Sequence, residues 1–225
     1  MPAPTAHSKL PIVVLASGEG TNLQAILDKC ADGTLPVSVM AVISDRPQAH
    51  ALTRARSAGV TAETCAPTDY PDREQYDTAL LKRIDRYKPG LVVLAGFMRI
   101  LGDNFVQHFH DRLLNIHPSL LPKYRGLHTH QRVLSAAERE HGCSVHFVTQ
   151  TLDGGPVVAQ IKVSVRPGDS ENSLRTRVQH QEHRLYPEVI GWFATGRLQL
   201  DDEQVILDGK RLQAPVMLPA QEHNT

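Results

Sequence analysis

Apolar positions along the chain alternate between two spacings. Residues 10–17, LPIVVLAS, are almost unbroken apolar and β-branched, the pattern of a parallel strand covered on both faces. Shorter runs at 36–44, 60–64, 91–95 and 113–117 repeat it. Between them the period becomes helical: Leu23, Ile26, Leu27 and Cys30 in the first interval, then residues 48–58 closed by Gly59. Tyr76, Leu80, Ile84 and Tyr87 share one face of a helix over 73–87, stopped by Lys88-Pro89-Gly90, and a short helix is expected at 103–110. Strands alternating with helices predict an α/β, doubly wound and mostly parallel sheet.

The second half departs from that rhythm. Residues 128–140 read as a helix ended by His141-Gly142, and 143–149 and 156–165 as strands. The turn between the strands, Leu152-Asp153-Gly154-Gly155, is too tight for a crossover, so the sheet is expected to become antiparallel in its C-terminal part. Gly168-Asp169-Ser170 offers a cap for a long helix over about 171–194, which Pro187 should kink or split. A hairpin over 197–200 and 205–207 closes the domain. The expected organisation is a flexible N-terminus over 1–9, one domain over 10–212 and a flexible tail over 213–225.

Composition narrows the partners. Hydrophobic residues make up 41% of the 225, enough for a real core, and no apolar run approaches the ~20 residues that span a bilayer. Lys plus Arg equals Asp plus Glu at 24 each, so no bulk field draws in nucleic acid or an anionic membrane, and an anionic substrate must be held locally. Cys30, Cys65 and Cys143 lie far apart without CxxC spacing, which fits a reducing cytoplasm. Twelve histidines include the close pairs His108/His110, His128/His130 and His180/His183, but with no HExxH motif or completing ligand set no metal is expected.

Four stretches carry candidate chemistry. Gly18-Glu19-Gly20-Thr21-Asn22 stands between a strand and a helix, the setting that aims free backbone N–H groups at a phosphate. Leu23 occupies the place of a third glycine in a Rossmann dinucleotide fingerprint, which favours a single phosphate over NAD. Asp45, where a Rossmann dehydrogenase carries its ribose-binding acid, keeps an oxidoreductase as the rival. Asn115 and His117, two apart in a strand, should project together from its carboxyl end. An amide donor beside an imidazole is what acyl transfer requires, although such a pair also serves as ordinary structural hydrogen-bonders. The loop Gly96-Phe97-Met98-Arg99-Ile100-Leu101 is either core padding or a wall for a flat ligand, and Asp153 before glycine reads as a turn residue. Gln179 and Glu182, three apart, share a helical face.

The string Asn115-Ile116-His117-Pro118-Ser119-Leu120-Leu121-Pro122, continued by KYRGLHTH, resembles the signature of the formyltetrahydrofolate-dependent formyltransferases. GEGTN, AGFMRIL and GCSVHFVTQTLDGGPV are similar to that family's other motifs, in its order, over about 10–212. The resemblance implies the Rossmann-like formyltransferase fold. It also implies direct transfer of a formyl group from the co-substrate 10-formyltetrahydrofolate to the amine of phosphoribosylglycinamide, in purine synthesis. Carried over by motif, Asn115, His117 and Asp153 are catalytic, with Asp153 the partner of His117. Gly20, Thr21, Asn22 and the Leu23 amide hold the ribonucleotide phosphate, and Gln179 and Glu182 meet its ribose and amine. Met98, Arg99, Ile100 and Leu101 flank the pterin, Arg73 meets the folate tail, and Asn115, Thr149, Gln150, Thr151, Leu152 and Asp153 complete the folate site. Gln150 departs from the acidic residue common in the family, and Leu121-Pro122 is expected to be cis. The partners implied are small molecules, with no nucleic acid or membrane, and a monomer or homodimer. A related formyltetrahydrofolate hydrolase or a transferase to another acceptor is the alternative. The start of the first strand near residue 10 and the short C-terminal remainder argue against relatives with an added regulatory or tRNA-binding domain.

Overall fold

The structure, a computed structural model, describes residues 9–221. Of the expected flexible N-terminus, 1–9, all but Lys9 lies outside the described residues, as does the end of the tail beyond 221. In chain order, β1 (Leu10–Leu15), α1 (Thr21–Ala31), β2 (Val37–Ser44), α2 (His50–Ser57), β3 (Thr61–Thr64), α3 (Arg73–Asp85), β4 (Leu91–Leu94), α4 (Asp103–His108) and β5 (Leu113–His117) form the doubly wound part. There follow α5 (Thr129–Ser135), β6 (Glu140–Phe147), β7 (Val157–Ser164) and α6 (Glu171–Ala194), then the short strands β8 (Leu198–Asp201), β9 (Gln204–Leu207), β10 (Lys210–Arg211) and β11 (Val216–Leu218).

The main sheet runs β11-β7-β6-β5-β4-β1-β2-β3, and β8, β9 and β10 form a separate three-stranded sheet. The first five strands pair in parallel, β6 is antiparallel to both β5 and β7, and β11 is parallel to β7. Hence β6 alone is reversed, and the change of direction comes one strand earlier than the β6–β7 turn suggested. The unbroken apolar run of β1 has a direct cause. Ile12 and Val14 face a core shared with Leu23 and Ile26 of α1 and Leu185 and Val189 of α6. Val13 and Leu15 face the opposite core with Tyr76 and Leu80 of α3 and Phe105 of α4.

Three expectations are corrected. The helix expected over 128–140 ends at Ser135, and Glu140, His141 and Gly142 belong to β6, paired with Ser164, Val163 and Lys162. Sheet pairing overrides the helical propensity of AAERE, and Ala137, at φ 50°, breaks the helical path before it. Pro187 does not split α6, which is continuous over 24 residues. The bond lost at the proline is offset by packing, since Leu185, Tyr186, Val189, Ile190 and Trp192 are all buried. The Tyr186 hydroxyl lies 3.0 and 2.9 Å from the carbonyl oxygens of Leu94 and Leu114, tying α6 to the ends of β4 and β5. Lastly, the segment expected to be a loose tail supplies the edge strand β11, with Val216–Leu218 opposite Ala159, Gln160 and Ile161. Ser170 caps α6 as expected, accepting from the Ser173 N–H. No helix among the described residues is long and apolar enough to cross a membrane.

Candidate active site

The loop after β1 turns on Gly20, whose φ is 71°. A Cβ built there would lie 2.7 Å from both Cα and Cβ of Ala51, so only glycine lets the start of α2 approach this closely. The first intrahelical donor of α1 is Gln24, whose N–H bonds the Gly20 carbonyl at 2.9 Å. The N–H groups of Thr21, Asn22 and Leu23 precede it and are left to an outside acceptor at the positive end of the helix.

Helix α6 closes over this loop. Gln179 Nε2 donates to Thr21 Oγ1 at 2.9 Å, and Asn22 Nδ2 donates to Glu182 Oε2 at 2.8 Å. Burial pushes the Glu182 carboxyl above its ordinary range, opposed by the Asn22 bond, while Asn22 Oδ1 is buried without a partner. Together these residues line a cleft of about 300 Å³ with Arg46, Met98, Ile116, His130 and Arg175. His130 Nδ1 and His141 Nε2 are 2.9 Å apart, and burial pushes both imidazoles down to about 4, so at neutral pH both rings are neutral and one donates its N–H to the bare nitrogen of the other.

A second, narrower cleft of about 90 Å³ lies beside it, lined by Phe97, Arg99, Ile100, Leu101, Asn115, His146 and residues 148–153. At its wall Asn115 faces His146 across the β5–β6 register. His146 Nδ1 donates to the Phe147 carbonyl at 2.8 Å, leaving Nε2 to accept from Asn115 Nδ2 at 3.0 Å. Burial pushes the His146 imidazole down to about 4, which preserves that acceptor. One Asn115 N–H is thereby fixed and the other remains for a ligand.

Asp153, at φ 45°, stands between the two histidines. Its Oδ2 is 3.4 Å from His117 Nδ1 and accepts the Gly126 N–H at 2.8 Å, and its Oδ1 is 3.8 Å from His146 Nε2. His117 Nε2 is 3.0 Å from the Tyr124 carbonyl oxygen, so both ring nitrogens of His117 face oxygen acceptors. The loop that delivers Asp153 folds back tightly, since a Cβ on Gly155 would stand 2.0 Å from the Phe147 carbonyl oxygen.

The expected triad Asn115, His117 and Asp153 is therefore assembled, with His117 buried behind Asp153 rather than on either cleft wall. Gly20, Thr21, Asn22, Gln179 and Glu182 come together in the first cleft, and Arg99, Ile100, Leu101 and Thr149 to Asp153 in the second. Two residues do not fall where expected. Met98 lines the first cleft, its N–H held by Ser17 Oγ at 2.8 Å, and Arg73 lines neither, lying 3.7 Å from Asp77. Sequence reading missed His146, His130, Arg46 and Arg175; a histidine inside the apolar strand SVHFV was the available signal for the first. Leu121-Pro122 is cis. A larger cavity of about 760 Å³ between α6, the α1–β2 connection and β11 touches none of the expected site residues. Among the described residues no group of three or more His, Cys, Asp or Glu is placed to hold a metal ion.

Residues 10–190 match the model of the formyl transferase family. The chain is 55% identical over 201 residues to phosphoribosylglycinamide formyltransferase of Escherichia coli (strain K12), covering 89% of this chain and 95% of that protein. The namesake from Haemophilus influenzae is 44% identical over the same shares. Among solved structures, phosphoribosylglycinamide formyltransferase from Coxiella burnetii superposes with a TM-score of 0.90 at 51% identity, over 93% of this chain and 99% of that one.

Proposed function

The chain belongs to the formyl transferase family, and on that premise we propose that it transfers a formyl group from 10-formyltetrahydrofolate to the amine of phosphoribosylglycinamide. It is a transferase of purine biosynthesis. The observation that carries the reading is the position of β5. Ile116 and Pro118 line the cleft at the α1 N-terminus, and Asn115 lines the neighbouring one, so Asn115 stands on the partition between the two clefts, with His117 behind it.

The donor, when bound, supplies an electrophilic formyl carbon. A partly apolar slot walled by Phe97, Ile100, Leu101 and Val148 offers an apolar face to a heteroaromatic ring, with residues Thr149 to Asp153 also in its lining. The acceptor's phosphate sits on the free N–H groups of Thr21, Asn22 and Leu23. Its amine end lies toward Glu182, whose carboxyl and the unpartnered Asn22 Oδ1 offer acceptors.

As the amine attacks, charge develops on the formyl oxygen. Asn115 directs its uncommitted Nδ2–H there, fixed by His146 before the reaction begins, so little reorganisation is needed. His117 turns Nδ1 toward Asp153 Oδ2 at 3.4 Å, and the carboxylate sets the orientation of the ring. Water carries the amine proton to the departing folate nitrogen. Three free cysteines support a reducing cytoplasm as the working compartment.

The test is turnover in Asp153→Asn and His117→Ala. Each is expected to lose on the order of 10²–10⁴-fold in kcat while both substrates still bind by titration. Near wild-type turnover in both would remove the cluster from the chemistry.

A further inference from the structure

We propose that Arg175 is a specificity residue whose guanidinium binds the phosphate of the acceptor and so restricts the site to phosphorylated ribosides; this rests on the functional reading above. The phosphate site at α1 is built from backbone. Its own loop adds only an adverse charge, Glu19, whose side chain is 83% exposed and lines the same cleft. His50 Nδ1, at 3.9 Å, covers that carboxylate weakly. A phosphate monoester is close to a dianion at pH 7, so it meets like charge here and needs a cation to offset it.

Two guanidinium groups line the cleft, Arg46 after β2 and Arg175 in the first turns of α6. Among the described residues neither has a carboxylate partner, and the bond Arg175 does make, from Nη2 to Asn172 Oδ1 at 2.8 Å, is to a neutral amide. Its place on the helix is the stronger argument. Arg175, Gln179 and Glu182 fall at i, i+4 and i+7, one stripe of α6. Gln179 is tied to Thr21 and Glu182 to Asn22, which fixes the stripe against the phosphate loop. Arg175 is the next position along the stripe, about 6 Å beyond Gln179 along the helix axis, within reach of an anion on the Thr21 amide. Its charge is also felt within the cleft, where it opposes protonation of His130. A planar guanidinium meets phosphate oxygens bidentately, which a lysine cannot do.

The experiment compares wild type, Arg175→Gln and Arg175→Lys in steady-state kinetics with phosphoribosylglycinamide, and in binding titrations with that acceptor, its dephosphorylated riboside and ribose 5-phosphate. Arg175→Gln is expected to raise the KM for the ribonucleotide roughly tenfold, with kcat and the folate KM changed less than about twofold. Arg175→Lys recovers part of the loss. Binding of the dephosphorylated riboside is equal in wild type and Arg175→Gln, and the penalty on the phosphorylated ligands shrinks as salt is raised. An unchanged ribonucleotide KM, or an equal penalty on the riboside, overturns the assignment. Ribose 5-phosphate reads Arg175 directly, so the residue is tested even if wild type fails to transfer formyl to this acceptor, an outcome that would instead overturn the reading of the reaction.

Discussion

His146 shows how a single buried side chain can set the direction of another. Its Nδ1–H is held by the Phe147 carbonyl, so Nε2 must accept, and the Asn115 amide can present its nitrogen on that side only. His146→Leu keeps the volume roughly and removes the acceptor. We expect kcat to fall about tenfold or more with both substrate affinities little changed, because the amide regains its alternative orientations and the oxyanion donor is no longer preorganised. Unchanged kcat in a folded His146→Leu would show that Asn115 needs no such anchor. The asymmetry between these residues also marks what the sequence could tell. Asn115, His117 and Asp153 stand within motifs that carry their meaning locally. His146 acquires its part only through the antiparallel register that sets it opposite Asn115, which no local pattern specifies.

Among the elements, α1 and α6 matter most to the site, since the free end of one is roofed by polar side chains of the other. Gly20→Ala tests this arrangement. The added methyl would meet Ala51 at 2.7 Å and sit on a backbone at φ 71°, so α1 and α2 must separate and the amides proposed to bind the phosphate shift. Weaker ribonucleotide binding, a lower Tm and a folate KM within about twofold of wild type are the expected results; a ribonucleotide Kd equal to wild type would place the phosphate elsewhere. The parallel strands and their helices were legible because burial on two faces or one leaves a plain period. The end of α5, the continuity of α6 through Pro187 and the edge strand β11 were not, because each is decided by a distant partner. Strand β7 recruits Glu140 to Gly142 into β6 and Val216–Leu218 onto its other side, and the core holds α6 together where the proline removes a bond.

At the scale of the whole molecule, equal numbers of acidic and basic residues leave local arrangement to do all the electrostatic work, and the buried histidines make that arrangement sensitive to acid. His130, His141 and His146 are each pushed by burial from the ordinary 6.5 to about 4. Between those values the unfolded chain takes up protons that the folded chain refuses, so stability is fully present above about pH 6.5 and lost as the pH falls toward 4. Glu182 and Asp77, both raised by burial, have the opposite sign, while His183, lowered by burial, adds to the other histidines. A Tm that declines steadily from pH 6.5 to 4.5, with a shallower decline in the His130→Gln/His141→Gln double variant, is expected in calorimetry; a flat Tm would contradict the burial of neutral imidazoles. The central claim, direct formyl transfer between two adjoining clefts, is tested most directly by following an isotopically labelled formyl group. With 10-formyltetrahydrofolate carrying the label, the account predicts that tetrahydrofolate appears only when phosphoribosylglycinamide is present, with one label recovered in formylglycinamide ribonucleotide per tetrahydrofolate released. Label released as free formate at the same rate with or without the acceptor would contradict it.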